Sequence, residues 1–393
     1  MRQRRAVIVG AGIAGLASAL ALSRSGWRVA LLEQRPRFPE QSVVMLLWES
    51  GVKALRQLGI DAKLDLGGVE PDDLYMRDHS GAQVGHVSLT GDAEQEHRPI
   101  YIRQDRLFDA LLAKLGPDVE LHNSTAVSRV DLMHLAAGDE TRRWDADFLV
   151  AADGTRSTIR PLLERRSQLQ EAGAVTFQAL IPPHRAPRRE GDSSEIYGPN
   201  GKRFCYASLG HDGAAWMAVI PGGLRPESRQ IQHELLNRWF DDWPEPVGEY
   251  LDATRPEELV QGLIRTIDPL PSRLDFEVGE KGGALLMGDS ASGVIPSFPL
   301  GATVALEDAA TLGWALHHYP DDLNAALRQY HEQRIGRIRA VHRFSRRHLK
   351  LGSGKKRLLP SLVRATPDRW LAAVVRNLVS WELPDDMWWT VHD

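Results

Sequence analysis

The stretch Ala6-Val7-Ile8-Val9-Gly10-Ala11-Gly12-Ile13-Ala14-Gly15-Leu16 sets three glycines within six residues between two apolar runs of different character. Ala6 to Val9 is short and β-branched, the pattern of a strand buried on both faces of a parallel sheet. Ile13 to Ser25 is rich in Ala and Leu and free of proline, which predicts a helix. Gly26-Trp27 ends it, and Arg28-Val29-Ala30-Leu31-Leu32 reads as a second strand. Strand, tight turn, helix and strand within about 30 residues make the opening of a doubly wound α/β unit.

In that setting each glycine has its own task. Gly10 permits the turn, Gly12 lets a pyrophosphate approach the backbone, and Gly15 lets the helix lie close on the strand. Ile13 and Ala14 open the helix, where free N–H groups and the positive end of the dipole favour an anion. Glu33 and Gln34 follow the second strand, with Glu33 placed to accept from ribose hydroxyls. An acid there disfavours a 2′-phosphate.

Working outward, 393 residues favour more than one domain. With 42% hydrophobic and 25% charged residues, the composition is that of an ordinary globular protein. A net charge of −4 gives no general attraction to nucleic acid. The single cysteine, Cys205, excludes an intrachain disulfide and a multi-cysteine metal site; no metal is expected, and a cytoplasmic setting suits this usage. The apolar start is broken by glycines and reads as the first element of the fold rather than a signal peptide. No apolar stretch reaches the ~18 residues of a spanning helix.

Two further segments repeat the idea of an apolar strand running into an Asp-bearing turn: Asp147 to Ser157, with Asp153-Gly154, and Gly283 to Ala291, with Gly288-Asp289. Open α/β sheets bind ligands at such strand ends. In order and separation, the glycine fingerprint and these two turns resemble the class A flavoprotein monooxygenases of the p-hydroxybenzoate hydroxylase type. The likeness extends through Trp48 to Ile60, Gln104 to Leu112, Ala305 to Ala309 and Tyr330 to Arg334. It implies FAD as cofactor and NADH or NADPH as transient co-substrate. By position it assigns Gly10, Gly12, Ile13, Ala14 and Gly15 to the pyrophosphate, Glu33 and Gln34 to the adenosine ribose, and Gln104 to the flavin chain. Gly288 and Asp289 fall at the ribityl hydroxyls, and Pro296, Leu300, Gly301 and Ala302 beside the flavin ring. Asp153, Gly154 and Arg156 match the motif tied to both FAD and NAD(P)H.

The family chemistry implies a C4a-hydroperoxyflavin, formed from O2, that hydroxylates an aromatic or polycyclic small molecule. Rival expectations on the same scaffold are epoxidation, dearomatising hydroxylation or halogenation, and beyond these a non-catalytic flavin- or ligand-binding protein. The Trp-x-Trp-x-Ile-Pro signature of related halogenases is absent. The flavin turn departs from the usual pattern: Ser292 stands where a histidine is common, and Pro299 and Leu300 precede the surviving Gly301. Proline removes an N–H and fixes φ, so the turn must differ locally. No residue stands out as a catalytic acid or base.

The expected architecture is a Rossmann-like FAD-binding domain with an inserted, mostly antiparallel β-sheet substrate domain and a helical C-terminal segment. Residues 1–73, 99–170 and 273–350 are assigned to the FAD-binding domain, 74–98 and 171–272 to the substrate domain, and 351–393 to the tail. Substrate contacts are expected from Met45 and Leu47 in the apolar run Val43 to Trp48, from Phe204, Tyr206 and Trp216 on the inserted sheet, and from Phe298. Between Arg328 and Arg376 the chain carries fourteen Arg or Lys and two acids. Such a run is usually a solvated face. An acidic partner, an anionic membrane surface or packing of the tail back onto the body are the alternatives, and a monomer or homodimer is expected.

Overall fold

A computed structural model of the chain describes residues 3–37, 43–90, 98–188, 193–279, 282–296, 298–353 and 358–384. In chain order the helices are α1 (Ile13–Arg24), α2 (Glu49–Gln57), α3 (Gln104–Ala113), α4 (Arg160–Leu163), α5 (Arg229–Trp239), α6 (Val247–Asp252), α7 (Gly301–His318), α8 (Leu323–Ser353), α9 (Leu358–Ala365) and α10 (Asp368–Val379). Between them lie a six-stranded and a seven-stranded sheet, with smaller sheets of two and three strands.

The six-stranded sheet runs in the order Asp275–Val278, Gly282–Leu286, Phe148–Ala151, Arg5–Val9, Arg28–Leu32, Val119–His122. All neighbours are parallel except the hairpin at the Asp275–Val278 edge. Parallel central strands are covered on both faces, which is why Ala6 to Val9 and Phe148 to Ala151 are continuously apolar and buried. Helix α1 and the three-stranded sheet Arg129–Asp131, Ala136–Gly138, Arg143–Asp145 both contact Arg5–Val9, and α7 packs on α1. Val9, Leu32, Ala151 and Leu286 end their strands at one common edge, where the chain turns out into loops.

The larger sheet runs Val260–Asp268, Gln168–Ile181, Ala214–Pro221, Arg203–Ser208, Ser193–Tyr197, Asp73–Asp78, Gln83–Ser88. Its pairs are antiparallel except Ser193–Tyr197 with Asp73–Asp78. The predicted alternation is present, but the aromatic side chains take the face away from the cavity described below. Tyr206 lies opposite Trp216, so the two share a face with Phe204, two residues away along the strand. That face packs under α5 and α6: Phe204 stacks on Trp216 at 5.2 Å and meets Phe240 edge-on at 5.5 Å, while Tyr206 lies 5.1 Å from Tyr250. Trp216 Nε1 donates to Thr254 Oγ1 beneath the same helices.

Helix α8 is 31 residues long and runs without a break through the basic stretch to Ser353. Helices α9 and α10 then pack against the edge strand Gln83–Ser88. Leu378, Val379 and Leu383 join the main core, and Arg334 lies over the Trp381 ring at 5.4 Å. The tail therefore folds back onto the body. Trp388 and Trp389 lie outside the described residues, as do Lys355 and Lys356 of the basic run. No helix among the described residues is long and apolar enough to cross a membrane.

Candidate active site

The glycine turn shows three different steric situations. Gly10 has φ +94°, and a Cβ there would lie 2.4 Å from the carbonyl oxygen of Ala152. A Cβ on Gly15 would come within 1.9 Å of the Gly10 carbonyl oxygen, so only glycine lets α1 sit this close to the turn. Gly12 is the opposite case, with nothing within 4 Å of its Cβ position. It is the N-cap of α1, has no side-chain cap, and no acid stands in the first turn. An uncapped helix N-terminus facing open space is a site for an anion.

That space belongs to a cavity of about 1070 Å3, at the top of the ~300–1,000 Å3 usual for one small-molecule site. Gly12, Ile13, Ala14, Gln104, Gly154 and Asp289 line one end. The N-terminus of α7, with Pro296, Pro299, Gly301 and Ala302, lines the middle together with Met45 and Phe298. Beyond them lies the larger sheet.

Glu33 is buried at the end of its strand. Its Oε2 accepts from the Ala11 N–H at 2.9 Å, and its Oε1 accepts from both N–H and Nε of Arg35. Burial alone would raise its pKa, but these hydrogen bonds and the Arg35 charge hold it below the ordinary value. The ribose acceptor of the sequence reading is thus an ionised side chain already tied to the glycine turn. Gln34 is exposed and does not line the cavity.

Asp153 and Asp289 sit in adjacent turns, after the strands Phe148–Ala151 and Gly282–Leu286. Asp153 Oδ2 accepts from the N–H and hydroxyl of Thr158, which folds the turn over. Arg160 holds the two turns together: its buried guanidinium donates to the carbonyls of Ser290 and Thr155 at 3.0 and 2.9 Å. Burial lowers its pKa, against the pull of Asp153. Ser290 adds a hydrogen bond from its hydroxyl to the Ala151 carbonyl. Arg156, by contrast, is exposed and outside the cavity lining. Surrounding protein pushes the Asp289 carboxyl up to about 6, Asp308 adds to this, and the Val294 N–H opposes it. Although protein closes round that carboxylate, the side chain keeps an open face to the cavity, within reach of a hydroxyl.

Behind Asp289 stands a wholly buried ion network. Gly288 N–H donates to Asp308 Oδ2 at 2.9 Å, and Arg334 Nε donates to Asp308 Oδ1 at 2.7 Å. Arg334 also pairs with Glu307 at 2.9 Å, and Arg337 with Glu307 at 2.8 Å. Ser50 of α2 closes the set through its hydroxyl to Glu307 Oε1. The turn carrying Gly288 and Asp289 is therefore fixed from α7, α8 and α2 together.

Leu300 is fully buried in the main core and is the N-cap of α7; its side chain does not reach the cavity. The proline of the departed flavin turn is braced instead by Trp48, whose Nε1 donates to the Pro299 carbonyl at 3.1 Å and whose ring stacks on Phe298 at 5.1 Å. Along Val43 to Trp48, Met45 and its neighbours Val44 and Leu46 line the cavity, whereas Leu47 is fully buried in the core and does not. Phe204 likewise lies in the core under α5 and α6. Tyr206 and Trp216 border the cavity, but their rings pack in that same core.

Residues that face the cavity from the larger sheet come from the other register. Gln178, Met217, Cys205, Glu195 and Met76 lie side by side across five strands. All five line the cavity. Glu195 is the centre of this row. It pairs with Arg203 Nη1 at 2.8 Å, accepts from the Tyr197 hydroxyl at 2.9 Å, and accepts from the Cys205 thiol. Arg203 Nη1 also lies 3.1 Å from His348 Nδ1 of α8. Burial first, and then the Glu195 charge, push the Tyr197 and Cys205 pKa values well up, so both remain protonated donors. Tyr101, pushed up to about 12 by burial, shares a 2.5 Å hydrogen bond with Ser193 at the same wall. Glu195, Arg203 and Arg160 escaped the sequence reading: Glu195 and Arg203 meet only through the register of their hairpin, and Arg160 reaches Ser290, 130 residues away. Among the described residues no group of three or more His, Cys, Asp or Glu is placed to hold a metal ion.

Comparison with known proteins adds the following. Residues 3–345 match the family described as FAD binding domain. The chain is 29% identical over 363 residues to an FAD-dependent urate hydroxylase of Klebsiella pneumoniae subsp. pneumoniae, covering 89% of this chain and 91% of that one. It is 28% identical over 365 residues to a 6-hydroxynicotinate 3-monooxygenase of Bordetella bronchiseptica, covering 87% and 90%. Its fold superposes on the crystal structure of Klebsiella pneumoniae HpxO complexed with FAD and uric acid with a TM-score of 0.84, at 26% identity and 96% coverage of each chain.

Proposed function

Because this chain belongs to the class A flavoprotein monooxygenases, a family built on the FAD-binding domain, we propose that its substrate is an aromatic or heteroaromatic ring bearing an acidic O–H or N–H, held between the N-terminus of α7 and Glu195. The protein is an FAD-dependent monooxygenase of the hydroxylating type, and FAD with NAD(P)H supplies the electrons that activate O2. One observation carries the reading: a single cavity lined by the glycine turn and the α7 N-terminus is also lined by Glu195 and its row on the larger sheet.

On this reading the chain's own groups divide the work. Gly10, Gly12 and Gly15, with the N–H groups of Ile13 and Ala14, receive the pyrophosphate. Glu33 takes the adenosine ribose, Gln104 lies along the flavin chain, and Asp289 accepts from the ribityl hydroxyls. Pro296, Gly301 and Ala302 border the ring, where the positive end of the 18-residue helix α7 favours negative charge. Asp153 and Gly154 support the inner end, and exposed Arg156 is free to meet the nicotinamide co-substrate from outside.

Glu195 then acts on the substrate. Its carboxylate accepts a hydrogen bond from the ring's O–H or N–H, drawing electron density into the ring that receives oxygen. Arg203 and Tyr197 hold that carboxylate in place. The test is NAD(P)H oxidation by the FAD-loaded protein in air, with a panel of hydroxylated arenes and N-heteroarenes. The expected result is faster oxidation with one ring class and a product heavier by one oxygen atom. Glu195→Gln is expected to lower kcat by about 10²-fold or more, with FAD content unchanged. Equal turnover by Glu195→Gln removes Glu195 from the mechanism.

A further inference from the structure

Resting on the monooxygenase reading, we infer that the substrate is amphipathic: the reacting ring carries an aliphatic chain that leaves the ring chamber between the edge of the larger sheet and helices α9 and α10.

The argument begins with the order of strands. Polar side chains of the cavity row, Gln178, Cys205 and Glu195, belong to the middle of the sheet. One strand further toward the edge the same row continues as Met76, and Leu74 and Val87 line the cavity there. No side chain among these three has a polar hydrogen-bonding group. Facing them from the tail are Val363, Leu371, Val374 and Val375, which also line the cavity, with Thr366, whose hydroxyl donates to the Leu362 carbonyl. The chamber thus changes character along one direction, from hydrogen-bonding at Glu195 to hydrocarbon at the tail helices.

The apolar end is a built contact. A Cβ on Gly85 of the edge strand would lie 2.5 Å from Val363 and 2.9 Å from Leu371. That strand therefore lacks a side chain where α9 and α10 lean in. It is also a way out: Leu362 and Val374 line the cavity while remaining 48% and 50% exposed, so the hydrocarbon end reaches the surface between the two helices. Both helices lie beyond residues 3–345, the part matched by the FAD-binding-domain family. A compact polar ring fills the Glu195 end and has no use for it. An alkyl or prenyl chain on that ring gains from every methylene it removes from water.

The experiment uses the FAD-loaded full chain and 5-alkylresorcinols with methyl, propyl, pentyl, heptyl and nonyl tails, each kept below its micelle concentration. Perturbation of the flavin spectrum gives Kd without turnover. Affinity is expected to rise about two- to fourfold for each added methylene until the chain emerges. Val374→Asp, at a half-exposed position that tolerates the change in folding, is expected to abolish the rise. Trp370→Ser, exposed and outside the cavity, should keep it. Affinity independent of chain length, no binding by any member, or an unchanged rise in Val374→Asp overturns the proposal. Hydroxylation of a tailless arene with no gain from a tail leaves the monooxygenase reading standing and this one fallen. Failure of NAD(P)H to reduce the flavin with any ring strikes the former.

Discussion

Gly12 and Gly15 stand three residues apart, yet a methyl group on each meets opposite surroundings. Gly15→Ala forces a Cβ onto the Gly10 carbonyl, and a loss of at least about 3 kcal/mol in urea unfolding is expected. Gly12→Ala has room and an ordinary φ of −71°, so apo stability should change by less than about 1 kcal/mol. Its methyl group occupies the phosphate approach, however, and FAD affinity should fall tenfold or more by fluorescence titration. Asp289 adds a pH signature. Its carboxyl, raised to about 6 in the protein without FAD, accepts hydroxyl hydrogen bonds best when ionised. FAD affinity should therefore climb as pH rises through about 6 and level off above it, and Asp289→Asn should flatten the profile. The glycines were legible in the sequence because their constraint is local sterics. Arg160 was not, because it serves carbonyls at Thr155 and Ser290, and the second is 130 residues away. The neighbouring Arg156, which matched the motif, lies outside the cavity.

At the scale of elements, α7 and α8 are joined by the fully buried charges of Glu307, Asp308 and Arg334. Arg334→Met leaves the Asp308 carboxylate in the core without its cation and Glu307 with Arg337 alone, and a loss of about 3–5 kcal/mol is expected in thermal or urea unfolding. Burial works to raise the Glu307 pKa, but Arg334 and Arg337 hold it below 4.5. Its contribution is thus fully present above pH ~4.5 and is lost as pH falls toward the lowered folded value. Glu307→Gln should blunt that acid loss. Trp48→Phe removes the hydrogen bond to Pro299 while keeping a ring against Phe298, and should lower stability by about 1 kcal/mol. Motif likeness pointed to the segments Ala305–Ala309 and Tyr330–Arg334, but not to their joint task. For the larger sheet, period-2 alternation showed that Phe204, Tyr206 and Trp216 belong together. Which way they face was decided by Phe240, Trp243 and Tyr250, whose rings offered the better partner, and no single strand carries that information.

For the molecule as a whole, the α/β order of elements and the helical character of the tail were readable, whereas the surface on which the tail packs was not. Its basic run looks like a solvated face because most of those arginines do lie at the surface, and the apolar residues between them gain their meaning only from Gly85 and the sheet edge. Cofactor at a hundredfold its Kd should stabilise the protein by about 2.7 kcal/mol, seen as a higher midpoint in thermal unfolding than for the FAD-stripped chain.

The strand that carries the glycine turn ends at Val9, but its neighbour on the far side from Arg28–Leu32 is Phe148–Ala151, whose own neighbour is Gly282–Leu286. During synthesis the first strand leaves the ribosome flanked by nothing it will finally pair with except Arg28–Leu32. At about 5–20 residues per second, some 15–60 seconds pass before Gly282 to His318 follow. For that interval the Ala- and Leu-rich α1 lacks α7, the helix that packs on it, and the cofactor site lacks its Asp289 turn. Poor yields on rapid overexpression, relieved by slower translation or by abundant holdase chaperones, are what this chain order entails.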